Sequence, residues 1–208
     1  WNPWHGCHKV SPGCKFCYMY RDKERYGQDP TVVMRSKPAT FNAPLKWEQE
    51  VIAGKRTGHD RLVFTCSWSD FCIEEADGWR EEALLMIART PHLTYQMLTK
   101  RAERLLGIMD AWYRSYAGQF FPHPLPNLWI GVSCETQATA DARIPWLLRT
   151  PAAVRFVSAE PLLEGINLRP YLPHTFNREP SSGACEECQR KGDEHNTFLS
   201  WVICGGES

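Results

Sequence analysis

The sequence predicts an α/β protein built on an incomplete parallel (β/α)6 TIM-like barrel. Three observations predict it: short apolar segments alternate with longer amphipathic ones, polar residues follow the apolar segments, and 208 residues suffice for one domain with a hydrophobic core. Strands that alternate with helices form parallel βαβ units, which make a barrel, part of one, or a doubly wound sheet. We expect about six strands, as the βαβ spacing suggests.

The elements are predicted from composition and periodicity. Buried strands are expected over residues 61–67, 93–98, 128–132, 154–157 and 201–204, which are rich in β-branched and aromatic residues. Helices are expected over residues 79–89, 101–116 and 136–148. Residues 170–197 predict a long loop inside a single domain that spans residues 1–208. Because the sequence begins at Trp1 and ends directly after an apolar segment, we also expect residues to be missing at both ends.

Polar side chains after the predicted strands indicate one ligand site. In parallel α/β folds the site lies at the carboxyl ends of the strands. The residues that we expect to line one cavity there are Ser69, Asp70, Lys100, Glu135, Glu160 and Glu207. Loops are polar for solvation alone, which is a simpler explanation for part of this pattern.

Charge and hydropathy exclude two classes of protein. Lys and Arg number 24 and Asp and Glu number 24, which argues against binding nucleic acid mainly through its phosphates. No segment approaches the roughly 18 apolar residues that span a bilayer, and the N-terminus is unlike a signal peptide. We therefore expect a cytoplasmic protein without a membrane partner. In that reducing compartment, nine cysteines favour metal binding or catalysis over disulfides.

Three cysteines near the N-terminus have the spacing of a metal-binding loop. Cys7, Cys14 and Cys17 are arranged as C-x6-C-x2-C, and the Gly and Pro residues among them supply turns. A four-iron cluster bound by only three thiolates leaves one iron open to an external ligand. We therefore predict a 4Fe-4S cluster on these three cysteines.

The same segment resembles the radical S-adenosylmethionine superfamily. Cys14-Lys-Phe-Cys-Tyr18 is similar to the end of its signature, with a first gap longer than the usual C-x3-C-x2-C. The N-terminal motif is closer still to a phage-associated family of uncharacterised radical-SAM-like proteins. That resemblance extends to the segments that begin at Gln96, Gly131, Ser158 and Gly205.

The resemblance implies an enzyme that binds S-adenosyl-L-methionine at the open iron. One-electron reduction then cleaves the sulfonium and starts radical chemistry on a substrate, while the protein positions the cofactor. An external one-electron reductant such as flavodoxin or ferredoxin is implied as a partner. The substrate is unknown; a nucleic-acid base is one candidate, suggested by a distant likeness to DNA-repair lyases.

The resemblance also suggests cofactor-binding residues. The family's Gly-Gly-Glu element contacts the cofactor amino group, and similar segments occur at residues 205–207 and 159–163, while residues 67–70 occupy the expected place. Lys100 is a candidate for binding the cofactor carboxylate. The cofactor-binding candidates are therefore Ser69, Asp70, Lys100, Glu160, Gly205, Gly206 and Glu207. The catalytic candidates, chosen for their place after predicted strands, are Cys134, Glu135 and Lys100.

Two other classes of function stay open on the sequence. Cys14 and Cys17 are a zinc-type pair, which His5 and His8, or the distant pair Cys185 and Cys188, would complete. The distant pair would otherwise bind an auxiliary cluster or lie as free thiols in a loop. The second class is a nucleic-acid-binding barrel without catalysis, based on the basic segment 100–104 and the tryptophans. The remaining cysteines expected in the core are Cys66 and Cys204.

Overall fold

The computed structural model describes residues 1–172 and 198–205 and has α/β architecture. The N-terminal part contains β1 (Trp4–His5), α1 (Tyr18–Arg25), β2 (Met34–Arg35), α2 (Pro38–Phe41) and α3 (Ala43–Ile52). The rest contains β3 (Leu62–Thr65), α4 (Asp77–Ala88), β4 (Thr94–Thr99), α5 (Leu105–Arg114), β5 (Leu128–Ser133), α6 (Gln137–Arg149), β6 (Val154–Ala159) and β7 (Trp201–Cys204). The strands β1 and β2 pair antiparallel, and the other five form one sheet.

The predicted parallel α/β class is confirmed. Each of the five predicted strands corresponds to one of β3 to β7, and each of the three predicted helices to one of α4 to α6. There are two differences. The helices α1, α2 and α3, which precede β3, were not predicted, and α5 was expected from residue 101 but begins at Leu105, because residues 102–104 form a 3-10 turn. Closure of the sheet into a barrel stays a prediction.

The order of the strands follows the order of the chain. Within the described residues the sheet runs β3-β4-β5-β6-β7, and every neighbouring pair is parallel. A doubly wound sheet instead reverses its order at one point. Since crossovers between parallel strands are right-handed, an unreversed order places the connecting helices on a single face of the sheet.

The hydrophobic core lies between that face and the helices. Alternate residues of β3 and β4 are buried, and their neighbours point to the other face. The buried side chains include Val63, Tyr95, Met97, Ile130, Val132 and Val157 on the strands, with Leu84, Ile87, Met109, Ile144 and Leu147 on the helices. On the other face, Phe64 is 41% exposed and Trp201 is 42% exposed.

The N-terminal segment is fastened to the loop that follows β3. Trp4 is fully buried, and its indole nitrogen donates to the carbonyl of Asp70 at 3.1 Å. The Gly6 nitrogen donates to the carbonyl of Trp68 at 2.9 Å, and the Ser69 hydroxyl donates back to the carbonyl of Gly6 at 2.6 Å. The residues that follow Gly6 therefore start from the carboxyl edge of the parallel sheet.

The predicted loop over residues 170–197 lies almost wholly outside the described residues. Only its first residues belong to a described element, the 3-10 turn Arg169–Tyr171. None of the helices in the described ranges has the length and hydrophobicity that crossing a bilayer requires.

Candidate functional site

A cavity of about 400 Å³ lies at the carboxyl ends of the parallel strands. Strands β3 to β6 all contribute residues from their ends, and the N-terminal segment supplies the facing wall. Cys7, Cys14 and Cys17 all border this one cavity. The cysteine loop therefore covers the edge of the sheet where parallel α/β proteins bind their ligands.

The cysteine loop depends on glycine and proline for its path. Gly6 has a φ of +93°, and a Cβ at that position would lie 2.1 Å from the carbonyl oxygen of Val32. Any larger residue would therefore clash as well as strain the backbone. Pro12–Cys14 form a 3-10 turn, and Cys17 is the N-cap residue of α1. All three thiols are free and half-buried.

Glu135 fastens the middle of this loop to the sheet. Its side chain is fully buried and accepts a hydrogen bond from Arg143 at 2.8 Å and a longer one from the Gly13 nitrogen at 3.4 Å. A Cβ on Gly13 would lie 3.1 Å from the Glu135 carboxyl carbon, so the contact is tight. Burial acts to raise the pKa of Glu135, but the hydrogen bond with Ser11 and the charge of Arg143 outweigh it, and the pKa is lowered.

Cys7 is held by a buried pair of opposite charges. Arg101 lies 3.2 Å from the Asp70 carboxylate, and its Nη1 donates to the Cys7 sulfur at 3.7 Å. Burial, followed by the negative charge of Asp70, raises the pKa of the Cys7 thiol to about 11, although Arg101 acts in the opposite direction. The thiol is therefore protonated at neutral pH, and a metal that binds it must displace the proton.

Ser69 and Asp70 border the cavity as expected, yet their polar groups are already occupied. The Ser69 hydroxyl donates to the carbonyl of Gly6. Asp70 accepts from the Thr99 hydroxyl at 2.6 Å and from the Lys100 backbone nitrogen at 2.9 Å. A third donor to Asp70, the Cys72 nitrogen, lies at 2.8 Å, and Arg101 forms the ion pair described above. Both side chains therefore hold loops in place.

Lys9 borders the cavity and lies over the Tyr20 ring, with its ammonium donating to the carbonyl of Lys15 at 3.5 Å. Lys100 and Glu160 are the two other charged cavity residues with spare capacity. Within the described residues, neither side chain forms an ion pair, and Glu160 only accepts from the Ser158 hydroxyl at 3.3 Å. Gly205 packs so closely on Glu160 that a Cβ would lie 2.2 Å from a carboxylate oxygen. The positive charge of Lys100 also helps to lower the pKa of Glu135, so the cavity presents a cation and an anion without direct ion pairs in the described residues, beside three thiols.

The structure corrects three expectations. Cys134 was a candidate for a substrate-facing thiol, but it is fully buried in the core, where burial raises its pKa to about 12. Glu135 was expected in the cavity lining, but it does not border the cavity. Its carboxylate instead accepts hydrogen bonds from Arg143 and from the Gly13 nitrogen of the cysteine loop. Cys204 was expected in the core, but it is exposed, because β7 has a described neighbour on one side only.

Other candidates lie outside the described residues. These are Gly206, Glu207, Cys185 and Cys188. Of the six side chains expected in one cavity, the structure therefore brings together Ser69, Asp70, Lys100 and Glu160.

Sequence reasoning did not single out Arg101 or Cys66 as functional residues of the cavity. Arg101 follows a predicted strand, which was its only signal, and nothing in the sequence indicates that it reaches Cys7. Cys66 also borders the cavity, at the end of β3, and it adopts a φ of +64°, which is rare outside glycine. Pattern alone places it in the core, and it is indeed only 4% exposed.

The sequence suggests two kinds of metal group for these thiols, a single zinc ion and a four-iron cluster. Within residues 1–172 and 198–205, no three His, Cys, Asp or Glu side chains are arranged to bind one ion. The His5 ring lies 2.6 Å from the Lys23 ammonium and the His8 ring lies 2.6 Å from the Glu75 carboxylate, while the Cys7 thiol donates to the backbone carbonyl of His8 at 3.5 Å. The described residues therefore show no preformed single-ion site, and a cluster on the three thiols stays a prediction.

Fold and site together define an α/β protein with a cysteine-bordered cavity at the carboxyl edge of a parallel sheet. Residues 1–208 match the model of a family described as protein of unknown function (DUF5131), and the chain belongs to that family. Comparison with curated proteins and with solved structures gives no significant match.

Proposed function

We propose that this protein binds a 4Fe-4S cluster through Cys7, Cys14 and Cys17 and cleaves S-adenosyl-L-methionine reductively. The observation that carries the proposal is the shared cavity, in which three thiols from one loop face a free lysine and a free glutamate. The cluster, when bound, supplies an electron to the sulfonium and so starts radical chemistry on the substrate.

Lys100 and Glu160 complement the amino-acid part of the cofactor. That part carries a carboxylate and an ammonium, and each protein charge lacks an ion-pair partner within the described residues. We expect the Lys100 ammonium to bind the carboxylate and the Glu160 carboxylate to accept the amino group. Leu98, Met19 and Phe64 give the cavity an apolar wall for the adenosine part, which helps to exclude water.

The proposal implies one protein partner and a class of substrate. Reductive cleavage consumes an electron, which an external carrier such as flavodoxin or ferredoxin would deliver. A nucleic-acid base remains our candidate substrate. A reducing cytoplasm would suit the seven cysteines that the structure describes, all of which are free.

The architecture that we infer is an incomplete (β/α)6 barrel. The unreversed strand order supports it, since it places α4, α5 and α6 on one face. The exposed apolar side chains of the opposite face, Phe64 and Trp201, suit the interior of an open barrel. The five described parallel strands and one further strand would make the six strands of the proposed barrel.

Metal analysis of protein purified without oxygen tests the proposal. We expect the wild-type protein to contain iron and sulfide and to be brown. The variants Cys7→Ala, Cys14→Ala and Cys17→Ala should each lose the iron, the sulfide and the colour. Cys66→Ser is the matched control in the same cavity, and Cys204→Ser is an exposed control; both should retain iron. Colourless protein with stoichiometric zinc would overturn the proposal, as would iron that depends on Cys66.

A further inference from the structure

Arg101 is a buried cation with three fixed partners. Its side chain is 10% exposed, and its guanidinium contacts the Asp70 carboxylate at 3.2 Å. Nη2 donates to the carbonyl of His8 at 3.1 Å, and Nη1 donates to the Cys7 sulfur at 3.7 Å, a normal length for a hydrogen bond to sulfur. The guanidinium therefore contacts the cysteine loop at two places, the backbone carbonyl of His8 and the sulfur of Cys7.

The position of Arg101 is determined by the sheet. Asp70, which pairs with it, is held in turn by the Thr99 hydroxyl at the end of β4 and by the Cys72 nitrogen. The Arg101 nitrogen also donates to the Thr99 hydroxyl at 2.9 Å. Because a fixed guanidinium loses little freedom when it binds, this arrangement presents a preformed donor to the Cys7 sulfur.

The three cysteines are unequal in their hydrogen bonding. The Cys14 sulfur lies 3.9 Å from the neutral Ser11 hydroxyl. In the part of the chain that the structure describes, only Cys7 receives a hydrogen bond from a charged group, and the Cys17 sulfur receives none. A cationic donor on one ligand withdraws charge from that side of a bound cluster alone.

We propose that Arg101 is a positioning residue that orients the Cys7 sulfur as a cluster ligand and raises the reduction potential of the cluster. This inference rests on the proposed function. Hydrogen bonds to the sulfurs and nearby positive charge raise the reduction potentials of iron–sulfur clusters, because both stabilise the more negative reduced state. Asp70 acts through Arg101 and opposes it, since its negative charge lies close to the same sulfur.

The experiment is a redox titration of the anaerobically reconstituted full chain without S-adenosylmethionine, followed by electron paramagnetic resonance. Arg101→Gln should give a more negative potential and about tenfold weaker iron retention under a chelator. Arg101→Lys keeps the positive charge, so its reduction potential should lie between those of Arg101→Gln and the wild type. Arg114→Gln is the matched control, since Arg114 lies exposed on α5 and pairs with Asp110.

A second variant tests the sign of the effect. Asp70→Asn removes a negative charge beside the same sulfur, so the potential should shift in the positive direction. Shifts of the same sign in Arg101→Gln and Asp70→Asn would indicate general loosening of the loop and would overturn the inference, as would an unchanged potential in Arg101→Gln. If wild-type protein takes up no iron, the proposed function fails first, which distinguishes the two failures. If Arg101→Gln does not fold, Arg101→Lys and Asp70→Asn still show the direction in which each charge shifts the reduction potential.

Discussion

The side chains that border the cavity differ in how much of their hydrogen-bonding capacity is already used. The Asp70 carboxylate accepts three hydrogen bonds and forms one ion pair within the protein, and the Ser69 hydroxyl donates to the carbonyl of Gly6. Lys100 and Glu160 retain their charges without an ion-pair partner in the described ranges. A ligand therefore has most to gain from Lys100 and Glu160, because Asp70 would have to break contacts first.

Lys100→Ala should weaken the binding of S-adenosylmethionine without loss of iron. A hydrogen bond to a charged group contributes about 1.5–3 kcal/mol, which corresponds to a dissociation constant raised by at least about tenfold. Equilibrium binding to the reconstituted protein measures the change. Lys46→Ala is the control, because Lys46 lies exposed on α3 and pairs only with Glu50. Unchanged affinity in Lys100→Ala would remove Lys100 from the cofactor site.

The sequence identified the residue types of the site better than their partners. Lys100, Glu160 and the three cysteines were selected because polar residues follow strands and cysteines cluster, and all five border the cavity. The role of Arg101 was not predictable, because it depends on a contact with a residue 94 positions earlier in the chain. The prediction that Glu135 lines the cavity was wrong for the same reason, since its hydrogen-bond partners come from α6 and from the cysteine loop.

At the scale of elements, the pairing of β5 with β6 depends on a glycine. Gly131 lies opposite Phe156, and a Cβ there would lie 2.4 Å from the aromatic ring. Phe156 is 1% exposed and packs against Trp201, so the ring has little room to move. The absence of a side chain on β5 thus allows an aromatic side chain on β6 to lie across the sheet.

Gly131→Ala should lower the free energy of unfolding by about 1–3 kcal/mol, the usual effect of overpacking. The matched control is Gly107→Ala on α5, where nothing lies within 4 Å of the new Cβ. That change should raise the free energy of unfolding by up to about 1 kcal/mol, because alanine favours the helix. Denaturant unfolding measures both. Equal effects of the two changes would contradict the packing of Phe156 on Gly131.

Asp77 joins α4 to the turn before α5. Arg104 donates to both carboxylate oxygens, at 3.0 and 2.9 Å, and Arg80 pairs with the same group. Burial acts to raise the pKa of Asp77, but the hydrogen bonds from Arg80 and Arg104 outweigh it, and the pKa lies below the usual 3.8. A lowered pKa contributes stability above the usual value, and this is lost as the pH falls through the folded-state value.

Asp77→Asn should therefore lower the free energy of unfolding at neutral pH, and the difference from wild type should shrink below about pH 4. Because the side chain is half exposed, solvent screening limits the effect to about 1 kcal/mol. Unfolding curves from about pH 3 to 7 measure it. Asp110→Asn, which removes a single 3.4 Å contact with Arg114, should change less. A difference that grows towards acid pH would contradict the lowered pKa.

Elements were more predictable than loops. Periodicity located all five parallel strands and the three helices between them, because the burial of one face imposes a repeat on the sequence. It did not predict the helices α1, α2 and α3 that precede β3, nor the short pair β1 and β2, whose two residues each are too few for any repeat. It also did not predict the 3-10 turn at residues 102–104, which keeps Arg101 at the cavity.

At the scale of the molecule, the cavity exists because two parts of the chain meet. The parallel sheet supplies the floor from the ends of four strands, and the N-terminal segment crosses it, fastened by Trp4, Gly6 and Gly13. The alternating pattern predicts the sheet, and the cysteine spacing predicts the loop. Their meeting was inferred only from the rule that parallel sheets bind ligands at their carboxyl edge.

The most direct measurement is product analysis of S-adenosylmethionine incubated with anaerobically reconstituted protein and a strong one-electron reductant. The proposed function predicts that wild-type protein uses one electron from the reductant to release methionine and a 5′-deoxyadenosyl radical, which takes a hydrogen atom from the buffer or reductant and is detected as 5′-deoxyadenosine. It also predicts that Cys7→Ala, Cys14→Ala and Cys17→Ala each yield none, while Cys66→Ser retains the reaction. Protein that carries a full complement of iron and sulfide, yet neither binds nor cleaves S-adenosylmethionine, would contradict the proposal.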